Sequence, residues 1–448
     1  SMAGRAKGGL RVAAVAGMAL ALSGCMQSPA ILDKFGDGRL GLTSENKDSE
    51  VTRRSSNFET VQGEATSETI EILLERPSIL ERGSSYANVA QAALDASSRA
   101  AEADLRAARL RAKAKSKNWL PTIGPSISLT SLGDVVANLL VEQVLFDNGR
   151  RKGEREFAAA DVEVAAVTLS TDMNTRVETA VALYVTALRG DEKANLNERA
   201  LSQMYEFERI VNGRVQGGIS DRSDLRVVES KINDITSAKT SAQEAARTAR
   251  AELRAMTGED FAGVFEPLRL DRPPVALRPL AVLLAEAEGR RDVAQSKIDR
   301  AGLLPSVTAS ANVSDGGTDA AIGGGGAALG FGTPAALRAI EAAQDAAARQ
   351  VSEAEEDARR RYSRQEQRLA SFKRQEGEAA ALAQESRVTF KLFQAQFKAG
   401  ARSVMDVVSI YEEMVQREQA HVDAKYEVIL IHLEMARDQG LLAEGEAI

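Results

Sequence analysis

An internal repeat constrains this 448-residue chain more than any other feature. Three landmarks recur in the same order after about 183 residues: Leu120-Pro121 as Leu304-Pro305, Gly218 and Asp224 as Gly400 and Asp406, and Thr257-Gly258 as Gln439-Gly440. A fixed internal period is examined first because it determines the architecture. Each half has the same predicted order, which is a helix, a Leu-Pro step, a β-like stretch, a long helix, a glycine turn and a second helix.

Long helices account for most of both halves. Helical patterns predict helices over about 86–118 and 280–301, each of which ends shortly before a proline. The same kind of pattern predicts longer helices over about 151–212 and 334–398. Residues 404–439 carry an apolar residue at every seventh position: Val408, Val415, Val422, Ile429 and Ala436. A sustained seven-residue spacing predicts coiled-coil packing of this last helix.

Two short segments, residues 121–146 and 305–332, alternate apolar and small polar residues instead. A period of two is the strand signal. Each segment contains a central turn and therefore offers two strands of about ten residues, the length of a tilted membrane-spanning strand. Four strands cannot close a membrane barrel, and an open sheet edge is not tolerated in lipid. If these strands span a membrane, several copies must pool them.

Composition excludes several classes of protein. Aromatic residues make up only 4% of the chain, which argues against a thick globular core. The net charge of −7 argues against nucleic-acid binding. One cysteine and two histidines provide no disulfide and no histidine-based site, and no catalytic or phosphate-binding motif is present. We predict no cofactor, no metal and no enzymatic activity. No apolar run is long enough for a transmembrane helix.

Residues 1–24 are predicted to be a signal peptide, because a basic stretch precedes a short apolar run. Leu22-Ser23-Gly24-Cys25 resembles the lipobox of bacterial lipoproteins. That resemblance implies that Cys25 carries a thioether-linked lipid and an acylated (palmitate) amine. The alternative is an ordinary signal peptide beside an accidental cysteine. Met26, where an aspartate would retain a lipoprotein in the inner membrane, favours the outer membrane.

The predicted domain organisation follows from these segments. Residues 25–66 are polar and lack a steady apolar period, which is typical of a flexible tether, here lipid-anchored. The first structural repeat is expected over 67–265, with strands at about 121–146. The second is expected over 266–448, with strands at about 305–332.

The order of the motifs resembles the TolC-like outer membrane factors, the outer membrane efflux protein family, in its lipoprotein branch. Three stretches carry the resemblance beside the paired Leu-Pro steps: 145–151 (LFDNGRR), similar to the family's LFDGG(R) strand exit; 397–408 (FKAGARSVMDVV), similar to its Y-x-x-G-x-x-[ST]-x-x-D-[VL]-[VL] turn; and the ending from 424 to 441. The resemblance covers about residues 67–442.

The resemblance implies a mainly α-helical chain with a small β part, assembled as a homotrimer. Each chain would give four strands to a twelve-stranded outer-membrane β-barrel and its helices to a coiled-coil periplasmic α-helical barrel. A periplasmic adaptor (membrane fusion) protein and an inner-membrane transporter would complete an efflux pump or a type I secretion system. The alternative is a non-channel periplasmic coiled-coil scaffold lipoprotein. One departure is the Gly323–Gly326 stretch, which lacks the aromatic residues that normally mark membrane interfaces.

Candidate functional residues lie at the two glycine turns. By resemblance, three copies of Asp406 would form an acidic ring in the lumen, which selects cations; the alternative is a first-turn acid that the helix dipole favours. By the same resemblance, Arg402 would tie neighbouring tip helices together and close the periplasmic entrance, with Asp224 as its expected partner. The alternative for Arg402 is a solvated surface charge. Phe397 stands where the family has a tyrosine whose hydroxyl adds a further tie between tip helices. Phenylalanine has no hydroxyl, so that hydrogen bond would be absent here.

The turn glycines themselves are Gly217, Gly218 and Gly400. Glycine is expected there because it adopts backbone conformations that other residues avoid. By resemblance, these helix-turn tips also contact the adaptor protein.

Overall fold

The computed structural model describes five stretches of the chain, residues 67–129, 135–268, 277–314, 317–326 and 330–448. Side chains at 127–129 and 135–137 are left out of the description. The predictions for the signal peptide, for Cys25 and for the tether up to residue 66 lie outside the described residues.

The described part is mainly helical with one small antiparallel sheet, as predicted. The first half contains α1 (Glu68–Leu74), α2 (Ser85–Asp95), α3 (Ala100–Ser116), β1 (Thr122–Leu129), β2 (Val135–Phe146), α4 (Arg150–Gln216) and α5 (Arg222–Thr257). The second half contains α6 (Leu280–Gly302), β3 (Ser306–Ser314), β4 (Gly317–Gly325), α7 (Thr333–Lys398), α8 (Val404–Asp438) and a short 3₁₀ turn (Gly445–Ala447). The order helix, two strands, two long helices occurs in both halves.

The single helix predicted over 86–118 is wrong, because α2 and α3 are separate helices. The break falls at residues 96–99, where Arg99 adopts a left-handed backbone with φ of 48°. The Arg99 N–H donates to the Ser97 hydroxyl at 3.2 Å. A serine hydroxyl can bond nearby backbone groups and so competes with continuation of the helix.

The four strands form one sheet in the order β1-β2-β3-β4, with every neighbouring pair antiparallel. The register sorts the side chains onto two unlike faces because successive residues of a strand point to opposite sides. We call one the polar face. Its polar residues are Thr122, Ser126, Asn138, Glu142, Ser306, Thr308, Ser310, Asn312, Ser314 and Asp319, and Leu140, Val144 and small residues lie beside them. The other is the apolar face; it carries Ile123, Pro125, Leu139, Val141, Val307, Ala309, Ala311, Val313, Ala320 and Ile322, with Gln143 and Thr318.

Two long helices, α4 and α7, connect the sheet end to the opposite end of the bundle. Near the sheet, neighbouring helices follow the order α3-α4-α6-α7. Away from the sheet the order becomes α5-α4-α8-α7. In both layers α7 stands at one side, and α3 or α5 stands at the other.

The larger buried cluster lies midway along α4, where α1, α2 and the ends of α5 and α8 meet. The C-terminal segment closes it. The side-chain oxygen of Asn174 accepts hydrogen bonds from the N–H groups of Leu442 at 2.7 Å and Ala443 at 3.2 Å. The Ile79 N–H donates to the Leu441 carbonyl at 2.9 Å. These bonds satisfy buried backbone groups that would otherwise be costly.

Candidate functional site

Two tight turns join the helices at the end of the bundle far from the sheet. In the first tip, between α4 and α5, Gly218 has φ of 70°; in the second tip, between α7 and α8, Gly400 has φ of 77°. The Ile219 N–H donates to the Arg214 carbonyl, and the Ala401 N–H to the Gln396 carbonyl, each at 2.8 Å. Both tips therefore close their helix with the same glycine-dependent cap.

Gly217 differs from these two glycines. Its φ is −81°, which other residues adopt readily, and a side chain added there would meet only ordinary contacts. The turn therefore requires Gly218 and not Gly217. Contact of either tip with an adaptor protein stays a prediction.

Asp406 belongs to a capping box at the start of α8. The Asp406 N–H donates to the Ser403 hydroxyl, and the Ser403 N–H donates to the Asp406 carboxylate, each at 3.1 Å. These bonds from Ser403 lower the pKa of the Asp406 carboxyl, with a smaller contribution from Arg402. Asp406 therefore has the helix-terminal role that the sequence left open. The acidic ring involves other copies and stays a prediction.

Asp224 occupies the matching position near the start of α5, but its tip is built more loosely. The residue that caps α5 is Asp221, and its side chain makes no capping hydrogen bond. The Asp224 N–H donates only to the Asp221 carbonyl, at 3.1 Å. The two tips therefore share their glycine cap and differ in how the following helix begins.

Arg402 is held by its own tip. Its Nε donates to the Gln396 side-chain oxygen at 3.0 Å, and its guanidinium lies 4.5 Å from the centre of the Phe393 ring. Within the described residues, no ion pair joins Arg402 to Asp224. The tie between these two residues stays a prediction for neighbouring copies.

Phe397 joins the two tips in a different way from a hydroxyl bond. The Arg214 guanidinium lies 5.5 Å from the centre of the Phe397 ring, so a cation–π contact links the end of α4 to the end of α7. Beneath it, the Tyr411 ring packs edge-on against Phe207, with ring centres 5.7 Å apart, and at a tilt against Phe390, with ring centres 4.9 Å apart. Burial raises the pKa of Tyr411 to about 12, so its hydroxyl stays protonated.

Three residues of the second tip were missed by sequence reasoning: Gln396, Phe393 and Ser403. Ser403 had a usable signal, since Ser403-Val404-Met405-Asp406 is the pattern of a capping box. Gln396 and Phe393 had none, because the turn and not the helical period brings them to Arg402.

Among the described residues, no group of three or more histidine, cysteine or acidic side chains could hold a metal ion. No helix in the same part of the chain has the length and apolarity needed to cross a membrane. What the described residues provide is a pair of capped tips at one end and a two-faced sheet at the other.

Comparison with known proteins identifies the fold. No protein-family model matches the sequence, and no curated protein matches it. Solved structures do match. The outer membrane protein VceC from Vibrio cholerae gives a TM-score of 0.67 at 14% identity, with 79% of this chain and 96% of that chain covered. The Campylobacter jejuni CmeC outer membrane channel gives 0.66 at 13%, with 91% and 95% covered.

The open state of the Neisseria gonorrhoeae MtrE outer membrane channel gives a TM-score of 0.67 at 15% identity, covering 87% of this chain and 97% of that chain. The chain therefore has the fold of outer-membrane channel proteins. The resemblance to the TolC-like outer membrane factors, predicted from the motifs, is confirmed at the level of the fold.

Proposed function

We propose that the protein is the outer-membrane exit duct of a tripartite efflux pump or a type I secretion system. It acts as a homotrimer anchored through lipid on Cys25, with a large periplasmic part, and passively conducts substrates delivered by an adaptor protein and an inner-membrane transporter. The observation that carries the proposal is the two-faced sheet on a bundle with the fold of outer-membrane channels.

The faces of the sheet fit a wall between lipid and water. In membrane β-barrels, strands alternate outward apolar and inward polar residues. The apolar face here carries no charged side chain among the described residues, whereas the polar face carries Glu142 and Asp319. A scaffold without a pore needs no such sheet, so this observation favours the duct.

Assembly from several copies is supported by the two unpaired edges of the sheet. In the described chain β1 and β4 each have one neighbour. Because the number of strands is even, β4 of one copy can pair with β1 of the next and stay antiparallel. A head-to-tail contact of this kind closes into a ring when the rotation fits.

The helices also leave one side of the chain uncovered, in this case along α7. Only three of the 66 residues of α7 are buried. Four of its large apolar side chains are exposed, namely Tyr362, Leu382, Val388 and Leu392. In the chain α7 packs mainly on α6 and α8. A neighbouring copy that brings its α3 and α5 side to α7 would cover this helix.

Planar-bilayer conductance of the acylated, detergent-purified protein, with mass measurement of its oligomer, tests the proposal. A trimer with discrete conductance steps is the expected result. A monomer that never conducts would exclude the duct and leave the scaffold.

The proposed closure of the periplasmic entrance by Arg402 is tested by the same conductance measurement. If Arg402 ties a tip to a neighbouring copy, Arg402→Ser raises single-channel conductance, whereas Arg417→Ser does not. Arg417 is the matched control because it is an exposed arginine that pairs within its own helix, with Glu413 at 3.4 Å. Equal conductance of both variants and wild type, in a channel that is closed at rest, would exclude the tie.

A further inference from the structure

The two strand segments differ from the rest of the chain because they contain acidic residues and no basic ones. Segments 121–146 and 305–332 contain four acidic residues, Asp134, Glu142, Asp315 and Asp319, and neither lysine nor arginine. In the whole chain, by contrast, 57 basic residues nearly balance 64 acidic ones. Asp134 and Asp315 lie outside the described residues, whereas Glu142 and Asp319 lie within β2 and β4.

Glu142 and Asp319 lie on the same face of the sheet. Glu142 pairs with Thr122 on one side and with Ser310 on the other. Asp319 pairs with Asn312, which in turn pairs with Leu140. Since Leu140 and Glu142 are two residues apart, the two carboxylates stand at levels separated by about 7 Å along the strands. Both side chains are exposed in the chain.

The remaining polar groups of this face are neutral and rich in oxygen. They are hydroxyls of serine and threonine, and the amides of Asn138 and Asn312. The side-chain oxygens of these two asparagines are buried and have no hydrogen-bond partner among the described residues. Among the described residues, this face therefore carries hydroxyl groups, two amides and two exposed carboxylates, and no lysine or arginine offsets the carboxylates.

We infer that the polar face of the sheet is a selectivity element of the duct, in which Glu142 and Asp319 favour cationic over anionic permeants. The inference rests on the proposed channel function. In an assembly of three copies the two residues give two rings of three carboxylates. Such rings attract cations and repel anions. This element is separate from the tips, because Asp406 lies at the opposite end of the bundle.

The test is the reversal potential of single channels of the full-length protein in a planar bilayer under a KCl gradient, which gives the K⁺ to Cl⁻ permeability ratio. Wild type is expected to prefer K⁺. The double variant Glu142→Gln with Asp319→Asn is expected to lower the ratio by about threefold, from charges acting across a wide, salt-screened pore. The charge-retaining pair Glu142→Asp with Asp319→Glu is expected to keep the wild-type ratio.

Two further variants keep the test decisive. Ser310→Lys places a cation opposite Glu142 on the same face, and it is expected to lower the ratio even if the neutralised double variant fails to assemble. Asp406→Asn removes a charge at the second tip and so distinguishes the contribution of the tips from that of the sheet. Its effect on the permeability ratio is expected to add to that of the double variant.

The outcomes separate the two proposals. An unchanged ratio in the assembled double variant, or a wild-type channel that conducts without preferring K⁺, overturns the selectivity inference and leaves the duct intact. Absence of conductance from the wild-type protein overturns the duct itself and the selectivity inference with it.

Discussion

The two longest helices have nearly equal lengths and very different surroundings. Helix α4 has 67 residues, of which 27 are buried, whereas α7 has 66 residues and buries only Ala347, Gln365 and Ala383. The first packs against α2, α3, α5, α6 and α8. Within one chain, α4 is therefore enclosed by other helices, whereas most of the surface of α7 stays uncovered. Equal length and equal position in the repeat do not imply equal burial.

The sequence of α7 suits this exposure. Its charged residues pair along its own surface, as Arg349 does with Asp345 at 2.9 Å and Arg359 with Glu355 at 3.8 Å, each one turn apart. Such pairs support a helix that has little packing. Its buried Gln365 bonds Glu434 at 3.1 Å and Asp438 at 2.9 Å, both on α8. Helix α7 is thus attached along one side and free along the other.

The comparison is tested most strongly by truncating one apolar residue of each helix. Met204 of α4 is fully buried, and Met204→Ala is expected to lower the free energy of unfolding by about 2–5 kcal/mol. Leu392 of α7 is 59% exposed, and Leu392→Ala is expected to change the stability of the single chain by less than about 0.5 kcal/mol. Urea unfolding in detergent measures both; similar losses would contradict the contrast.

Two glycines sharpen the same contrast. A Cβ on Gly190 of α4 would lie 2.7 Å from the Ala242 carbonyl oxygen and 2.8 Å from the Ala246 Cβ, whereas one on Gly377 of α7 would meet nothing within 4 Å. Gly190→Ala is expected to destabilise the protein by about 1–3 kcal/mol. Gly377→Ala is expected to stabilise it by about 0.5–1 kcal/mol, because alanine is the better helix former. Thermal unfolding gives both signs, and a shift of the same sign in both variants would refute the difference.

His432 reports on the side of α8 that lies near α7. Burial lowers its pKa to about 4, with a smaller contribution from Lys373. The unfolded chain takes up this proton below about pH 6.5 and the folded chain only near pH 4, so stability falls as the pH drops between those values. His432→Gln is expected to remove about 1 kcal/mol of the loss between pH 7 and 5, allowing for screening of the partly exposed ring. Urea unfolding at both pH values measures it, and an unchanged pH dependence would contradict the prediction.

The smallest expected effect separates the two tips. Ser403→Ala removes the capping bond of α8 and is expected to cost about 0.5–1 kcal/mol. Asp221→Ala is the control and is expected to cost less, because Asp221 makes no side-chain capping bond. Since Ser403 lowers the pKa of Asp406, that stabilisation is present above the ordinary carboxyl pKa and disappears as the pH falls through the lowered value. Hydrogen exchange of the first turns of α5 and α8 distinguishes the two caps; equal loss of protection would contradict the difference.

Local patterns predicted most of the fold. Period-two stretches became β1 to β4, and the heptad from Val408 to Ala436 became α8, because both patterns describe which side of an element is covered. The break at Arg99 was not predictable from an alanine-rich run, since it depends on a serine that bonds the backbone. The contacts of Arg402 with Gln396 and Phe393 depend on the geometry of a turn, for which the sequence supplies only the glycine.

The alternation of the sheet also has a consequence for changes in chain length. Deleting one residue from the middle of β2 would move Glu142 to the apolar face and Val141 to the polar face, since a slip of one residue inverts a strand. Deleting two would restore both. Between Val144 and Phe146 the register already shifts, which shows where one extra residue is absorbed. In a series of deletions through β2, folding would therefore depend more on whether an odd or an even number of residues is removed than on the number itself.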